Sequence, residues 1–112
     1  MINWYRIEDH LIPAENAINK IKLAGKNICL INHENNYFAT SSKCPHAGAD
    51  LSEGWCASGK LICPYHRHAF DLKNGRGAIG QGNYISVYPL EKRGGEWFIG
   101  IKLTFIQKLF KK

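Results

Sequence analysis

Residues 43–70 read KCPHAGADLSEGWCASGKLICPYHRHAF, and they hold three of the chain's four cysteines and three of its five histidines. Cys44 and His46 form a Cys-x-His pair, Cys63 and His66 form a Cys-x-x-His pair, and sixteen residues separate His46 from Cys63. Each pair is short enough to occupy one loop tip, so two loops can close on a metal from opposite sides. Pro45 and Pro64 stiffen both loops and remove two backbone N–H groups. Two thiolates with two imidazoles suit a tetrahedral Zn²⁺, or an iron–sulfur cluster with both cysteines on one iron and both histidines on the other. Zinc fingers usually gather cysteines in one half of the motif and histidines in the other. Here each half carries one of each, an alternation that by itself leaves zinc open.

Outside this segment the chain reads as β structure. Period-two or compact apolar runs fall at about 3–7, 16–23, 26–32, 36–41, 60–64, 69–72, 83–90 and 96–105. Turn signals separate them, among them LAGKN, NHENN, ASGK, LKNGRG and EKRGGE. Short strands at this spacing predict an antiparallel sandwich or barrel rather than alternating β and α units. DHLIPAENAI admits a helical turn, with Pro13 ruling out a long helix. No repeat, linker or second domain is visible, so residues 1–112 are expected to form one domain.

Composition narrows the function classes. With 45% hydrophobic and 21% charged residues the chain has the balance of a folded globular protein, which excludes a disordered segment. No secretory signal and no apolar run near the ~18 residues of a membrane span is seen, so a cytoplasmic location is expected. In that reducing setting four cysteines point to metal or catalytic use rather than disulfides. Cys29, inside the apolar run NICLI, reads as a small core residue; Cys56, in the turn-like GWCASGK, reads as a free thiol. The net charge of +6 is concentrated at the end, with +4 carried by residues 91–112. That basic tail is a candidate for docking an acidic partner, and its apolar Phe105, Ile106, Leu109 and Phe110 recur at helical spacing. No nucleic-acid-binding signature accompanies the charge, so no nucleic-acid partner is expected.

The segments CPHAGADLSEG and CPYHRHAFDLKNG resemble the two cluster loops of Rieske [2Fe–2S] proteins, and the chain resembles the small Rieske-type ferredoxins. The resemblance implies an all-β fold: an antiparallel β-sandwich frame with a small lobe formed by two cluster-binding loops, at about 44–54 and 63–75. It implies one [2Fe–2S] cluster, with Cys44 and Cys63 as ligands of one iron and His46 and His66 as ligands of the other. Neutral imidazoles in place of two thiolates remove negative charge, so an added electron meets less repulsion and the potential rises. The implied role is that of a one-electron carrier between protein partners, a reductase and an oxygenase. No two-His, one-carboxylate iron site and no dinucleotide fingerprint accompany the motif, so no substrate chemistry by the chain alone is expected. A zinc-stabilised interaction module and a redox sensor or regulatory subunit are the alternatives.

The departures from the resemblance also carry information. The Rieske proteins of cytochrome bc complexes have an extra cysteine in each loop, where this chain has Ala49 and Tyr65, so the loop-tying disulfide is impossible. Those proteins also place a hydroxyl donor at the positions held here by His68 and Phe70. Phe70 cannot donate, which implies a lower potential and the ferredoxin branch. His10 and His33 read as surface residues, and Trp4, Trp55, Trp97, Tyr84 and Tyr88 as core and sheet residues.

Overall fold

Four two-residue turns organise the chain. Ala24–Gly25, Glu34–Asn35, Ser58–Gly59 and Gly94–Gly95 each have φ positive at both positions. This is the hairpin turn whose twist matches that of paired strands. They join β2 (Ile18–Leu23) to β3 (Lys26–His33), β3 to β4 (Asn36–Ser41), β5 (Trp55–Ala57) to β6 (Lys60–Ile62), and β9 (Leu90–Arg93) to β10 (Glu96–Lys102). The registers follow from the turns: Leu23 faces Lys26, His33 faces Asn36, Ala57 faces Lys60 and Arg93 faces Glu96. These are the turn signals read in the sequence. The computed structural model describes residues 2–45, 48–65, 67–78, 81 and 83–102.

The strands form three antiparallel sheets. β1 (Ile2–Ile7), β10 and β9 make the first; β2, β3, β4 and β8 (Val87–Tyr88) the second; β5, β6 and β7 (Ala69–Asp71) the third. The first two sheets face each other across a core of Ile7, Ile21, Ile28, Leu30, Ala39, Ile99 and Ile101. That is the expected sandwich frame. The short third sheet belongs to a separate lobe, whose core gathers Cys44, Leu51, Leu61, Cys63, Phe70, Leu72 and Ile85.

β3 connects the two lobes. Along Ile28–Ile31 side chains alternate across the sheet, with Ile28 and Leu30 in the frame core and Cys29 and Ile31 in the cluster-lobe core. A strand covered on both faces reads as a continuous apolar run, which accounts for ICLI. Truncating any of these isoleucines or Leu30 to Ala is worth about 2–5 kcal/mol.

Several sequence expectations need correction. The stretch around Cys56 is β5, not a loop, and it pairs through Cys56 with Leu61. EKR belongs to a strand, β9, with only the two glycines left to turn. The helical turn near residue 10 exists but spans Asp9–Leu11 alone, as a 3-10 turn. Trp4 and Trp55 are sheet residues as expected, in β1 and β5, but Trp55 and Tyr84 are exposed and Trp4 lies at the margin of exposure rather than in the core. His33, expected at the surface, is buried, where its Nε2 accepts a hydrogen bond from the Gly59 N–H at 3.2 Å.

Candidate metal centre

Both candidate cysteines sit at the base of a loop closed the same way. The Cys44 N–H donates to the Ala49 carbonyl at 2.8 Å, and the Cys63 N–H donates to the His68 carbonyl at 2.8 Å. Each candidate cysteine is thus bonded to the residue five positions later, so the loops 44–49 and 63–68 are closed alike. Gly48 N–H bonds back to the Cys44 carbonyl at 2.8 Å, tightening the first loop. The second leaves the β6–β7 ladder at the Ile62–Ala69 pair. His46 and His66, the candidate imidazole ligands, lie outside the described residues, as do residues 103–112 of the basic tail.

The two loops bring their sulfurs together. Cys44 and Cys63 are both 1% exposed, and each thiol interacts directly with the other. Burial pushes the Cys63 thiol above its ordinary value, the nearby Cys44 pushes it further, and the Tyr65 N–H, donating to the Cys63 sulfur, works in the opposite direction. A backbone donor aimed at a sulfur favours the thiolate, the form that binds metal. Two buried, adjacent thiols with such a donor fit a site for thiolate-bound iron. No third Cys, His, Asp or Glu joins them among the described residues.

Three supports hold the loops in place, and two of them, Asp50 and Gln81, went unread in the sequence. Asp50 ends the first loop: its carboxylate accepts from the Ser52 N–H and hydroxyl at 2.9 and 2.6 Å and from Lys20 Nζ at 2.7 Å. Burial opposes ionisation of Asp50, but Lys20 and the Ser52 donors outweigh it and hold the carboxyl below its ordinary value. Asp-x-Ser ahead of a short turn was the available signal. Gln81 steadies the second loop, its Oε1 accepting from the Ala69 N–H at 3.1 Å and its Nε2 donating to the Ala69 carbonyl at 3.2 Å. A side-chain amide acting as an extra strand rung has no local sequence signal. Gly54 is the third support: a Cβ there would collide with the Ile62 carbonyl oxygen and lie 3.1 Å from its carbon.

Of the remaining cysteines, Cys29 is a core residue and Cys56 is half-buried against the same core. Burial first, then the charge of Asp50, pushes the Cys29 thiol up to about 12. Burial alone pushes Cys56 up to about 11. Phe70 is fully buried in the lobe's core, so the position of a hydroxyl donor is filled by an apolar ring.

The model of the Rieske [2Fe-2S] domain matches residues 3–88 of this sequence. The chain belongs to the Rieske [2Fe–2S] family. Its cofactor is accordingly a [2Fe–2S] cluster, and it is a Rieske-type ferredoxin. A 3-phenylpropionate/cinnamic acid dioxygenase ferredoxin subunit of Shigella flexneri serotype 5b (strain 8401) is 32% identical over 76 residues, covering 66% of this ferredoxin and 72% of the relative. The ferredoxin component of an alkene monooxygenase system from Xanthobacter autotrophicus is 32% identical over 74 residues, which cover 65% of this chain and 61% of that one. Among solved structures, the ferredoxin of carbazole 1,9a-dioxygenase from Nocardioides aromaticivorans superposes with a TM-score of 0.74 at 23% identity, covering 86% of this chain and 95% of that one. A putative NADH-dependent nitrite reductase small subunit from Mycobacterium tuberculosis superposes at 0.77 and 22% identity, with 93% and 99% covered. These two likenesses establish the Rieske fold of both lobes.

Proposed function

We propose that this Rieske ferredoxin is a one-electron carrier that takes electrons from a reductase and delivers them to an oxygenase. In this reading Cys44 and Cys63 hold one iron of the cluster and His46 and His66 hold the other. The carrying observation is the pair of matching loops, each closed from a cysteine N–H to the carbonyl five residues on, with the two buried sulfurs meeting between them. The oxygenase ferredoxins among its relatives support the choice of partners. When bound, the cluster accepts and releases one electron without a substrate. The chain's own residues supply the rest. The lobe's apolar core keeps water from the thiolates, Tyr65 N–H offsets charge on the Cys63 sulfur, and Asp50 and Gln81 fix the loops.

One domain spanning residues 1–112, with cluster loops at about 44–54 and 63–75, belongs to the same proposal, as does a cytoplasmic location. No helix among the described residues is long and apolar enough to cross a membrane. The basic tail within residues 91–112 is proposed to help dock an acidic partner.

Anaerobically purified protein tests the reading. About two irons and two acid-labile sulfides per chain are expected, with a rhombic EPR signal on reduction. Cys44→Ser and His66→Ala should each abolish that signal, and oxygenase turnover in a reconstituted system should require the wild-type chain. Stoichiometric zinc without sulfide would reject the carrier role outright.

A further inference from the structure

Beside the first cluster loop the surface carries a depression of about 400 Å³ whose liners include Lys20, Lys26, Lys43, Gly48, Ala49 and Asp50. A second depression of about 360 Å³ runs along the sheet edge past Lys102, and the two share Lys26 and Tyr88. Together they bring four ammonium groups and one carboxylate to one side of the molecule. The carboxylate is already committed, since Asp50 binds Lys20 and both Ser52 donors. Lys26, Lys43 and Lys102 have no carboxylate partner among the described residues. Their mutual repulsion is unfavourable for the free protein, and the arrangement becomes favourable when negative charge enters the groove.

The groove's position gives the charge a use. Lys43 directly precedes Cys44, and Gly48 and Ala49 belong to the loop that closes on Cys44. A chain segment lying in the groove therefore touches the wall of the cluster loop. We propose that this groove is the docking channel for an acidic segment of the protein that exchanges electrons with the cluster. The inference rests on the electron-carrier reading and adds the place and the chemistry of the contact. An extended acidic segment fits better than a small anion, because the lysines are strung along two joined depressions rather than converging on one point.

Binding and electron transfer test it separately. A fluorescein-labelled octaglutamate peptide is titrated by anisotropy with cluster-loaded protein at about 20 and about 200 mM salt. The K26E/K43E variant should weaken binding by about tenfold or more, and K26Q/K43Q by less, with both absorption spectra unchanged. K92E, on β9 away from the groove, should bind as the wild type does. In stopped flow, the reduced protein gives one electron to hexacyanoferrate(III), an anion that becomes hexacyanoferrate(II), or to tris(phenanthroline)cobalt(III), a cation that becomes the cobalt(II) complex. K26E/K43E should slow the first reaction and speed the second.

Equal peptide affinity in wild type and K26E/K43E overturns the proposal. So does octathymidylate binding more tightly than octaglutamate and being lost in the same variant, which would make the groove a nucleic-acid site. Displacement of the peptide by stoichiometric inorganic phosphate would make it a small-anion site and overturn it likewise. Peptide loss with both oxidation rates unchanged would separate the groove from electron exchange. Absence of the cluster would instead defeat the carrier reading, while the peptide titration would still report on the groove.

Discussion

Replacing Gly54 by Ala drives a methyl group into β6, the strand that leads directly into Cys63. The added Cβ would penetrate the Ile62 carbonyl oxygen and stand 3.1 Å from the Ile62 carbon and 3.3 Å from the Leu51 carbonyl oxygen. All three are backbone atoms, so no side chain can rotate away. Ile62 is paired on both sides, with Trp55 and with Ala69, and it immediately precedes Cys63. Relief must come from shifting β6 and with it Cys63, a proposed ligand. Overpacking of a rigid site costs about 1–3 kcal/mol, and a backbone obstacle places this case near about 3. For a chain of 112 residues the unfolding entropy is about 0.24 kcal/mol/K, so the melting temperature should fall by about 12 °C. Gly25→Ala is the control: nothing lies within 4 Å of its Cβ, but φ is +76°. Left-handed strain of about 1 kcal/mol should lower melting by about 4 °C. Circular dichroism of the oxidised, cluster-loaded proteins reads both values, and the visible spectrum should change only in Gly54→Ala. If Gly54→Ala melts no lower than Gly25→Ala, β6 yields easily and the argument for a rigid cluster base is wrong.

Other expectations concern charge and redox chemistry. The midpoint potential should fall in the negative part of the Rieske range of about −150 to +300 mV, because Phe70 offers no hydroxyl donor. Protein-film voltammetry should show it rising in His68→Ser/Phe70→Tyr, and a wild-type midpoint well above zero would contradict this. With thiols pushed up to about 12 and about 11, Cys29 and Cys56 are thiolate in only about one molecule in 10⁴ and 10³ at pH 8. Mass spectrometry should therefore find both unmodified by iodoacetamide until urea is added. Asp50, depressed in the folded state, contributes stability that is complete above its unfolded value of about 4 and is lost as pH falls through its lower folded value. Denaturant titrations at pH 6 and pH 3 should show the gap between wild type and Asp50→Asn closing in acid, whereas a constant gap would deny the carboxylate that role.

What the sequence disclosed depended on the range of each interaction. The hairpins were legible because residues 24–25, 58–59 and 94–95 contain the glycine that a left-handed turn favours. The pairing of Cys44 with Cys63 was legible through two short motifs, each confined to one loop. The turn at 58–59 was legible but β5 before it was not, because Trp55–Ala57 is only three residues long, too short to show an alternating pattern. His33 looked exposed from its polar neighbours, and only the distant Gly59 reveals why it is buried. Gln81 and Lys20 were beyond reach for the same reason: they support loops 12 and 30 residues away, respectively, through side chains common at any surface position.

The double-faced strand β3 makes the molecule indivisible. Cutting the chain between frame and cluster lobe would leave one fragment without the wall its core requires, since Ile28 and Ile31 serve opposite lobes from one backbone. The same alternation offers a pair of internal reporters. Methyl groups of Ile28 and Ile31, three residues apart, face separate interiors, so NMR can follow the frame with one and the cluster lobe with the other. Iron loading should register first at Ile31, and whatever reaches Ile28 has passed through the strand itself.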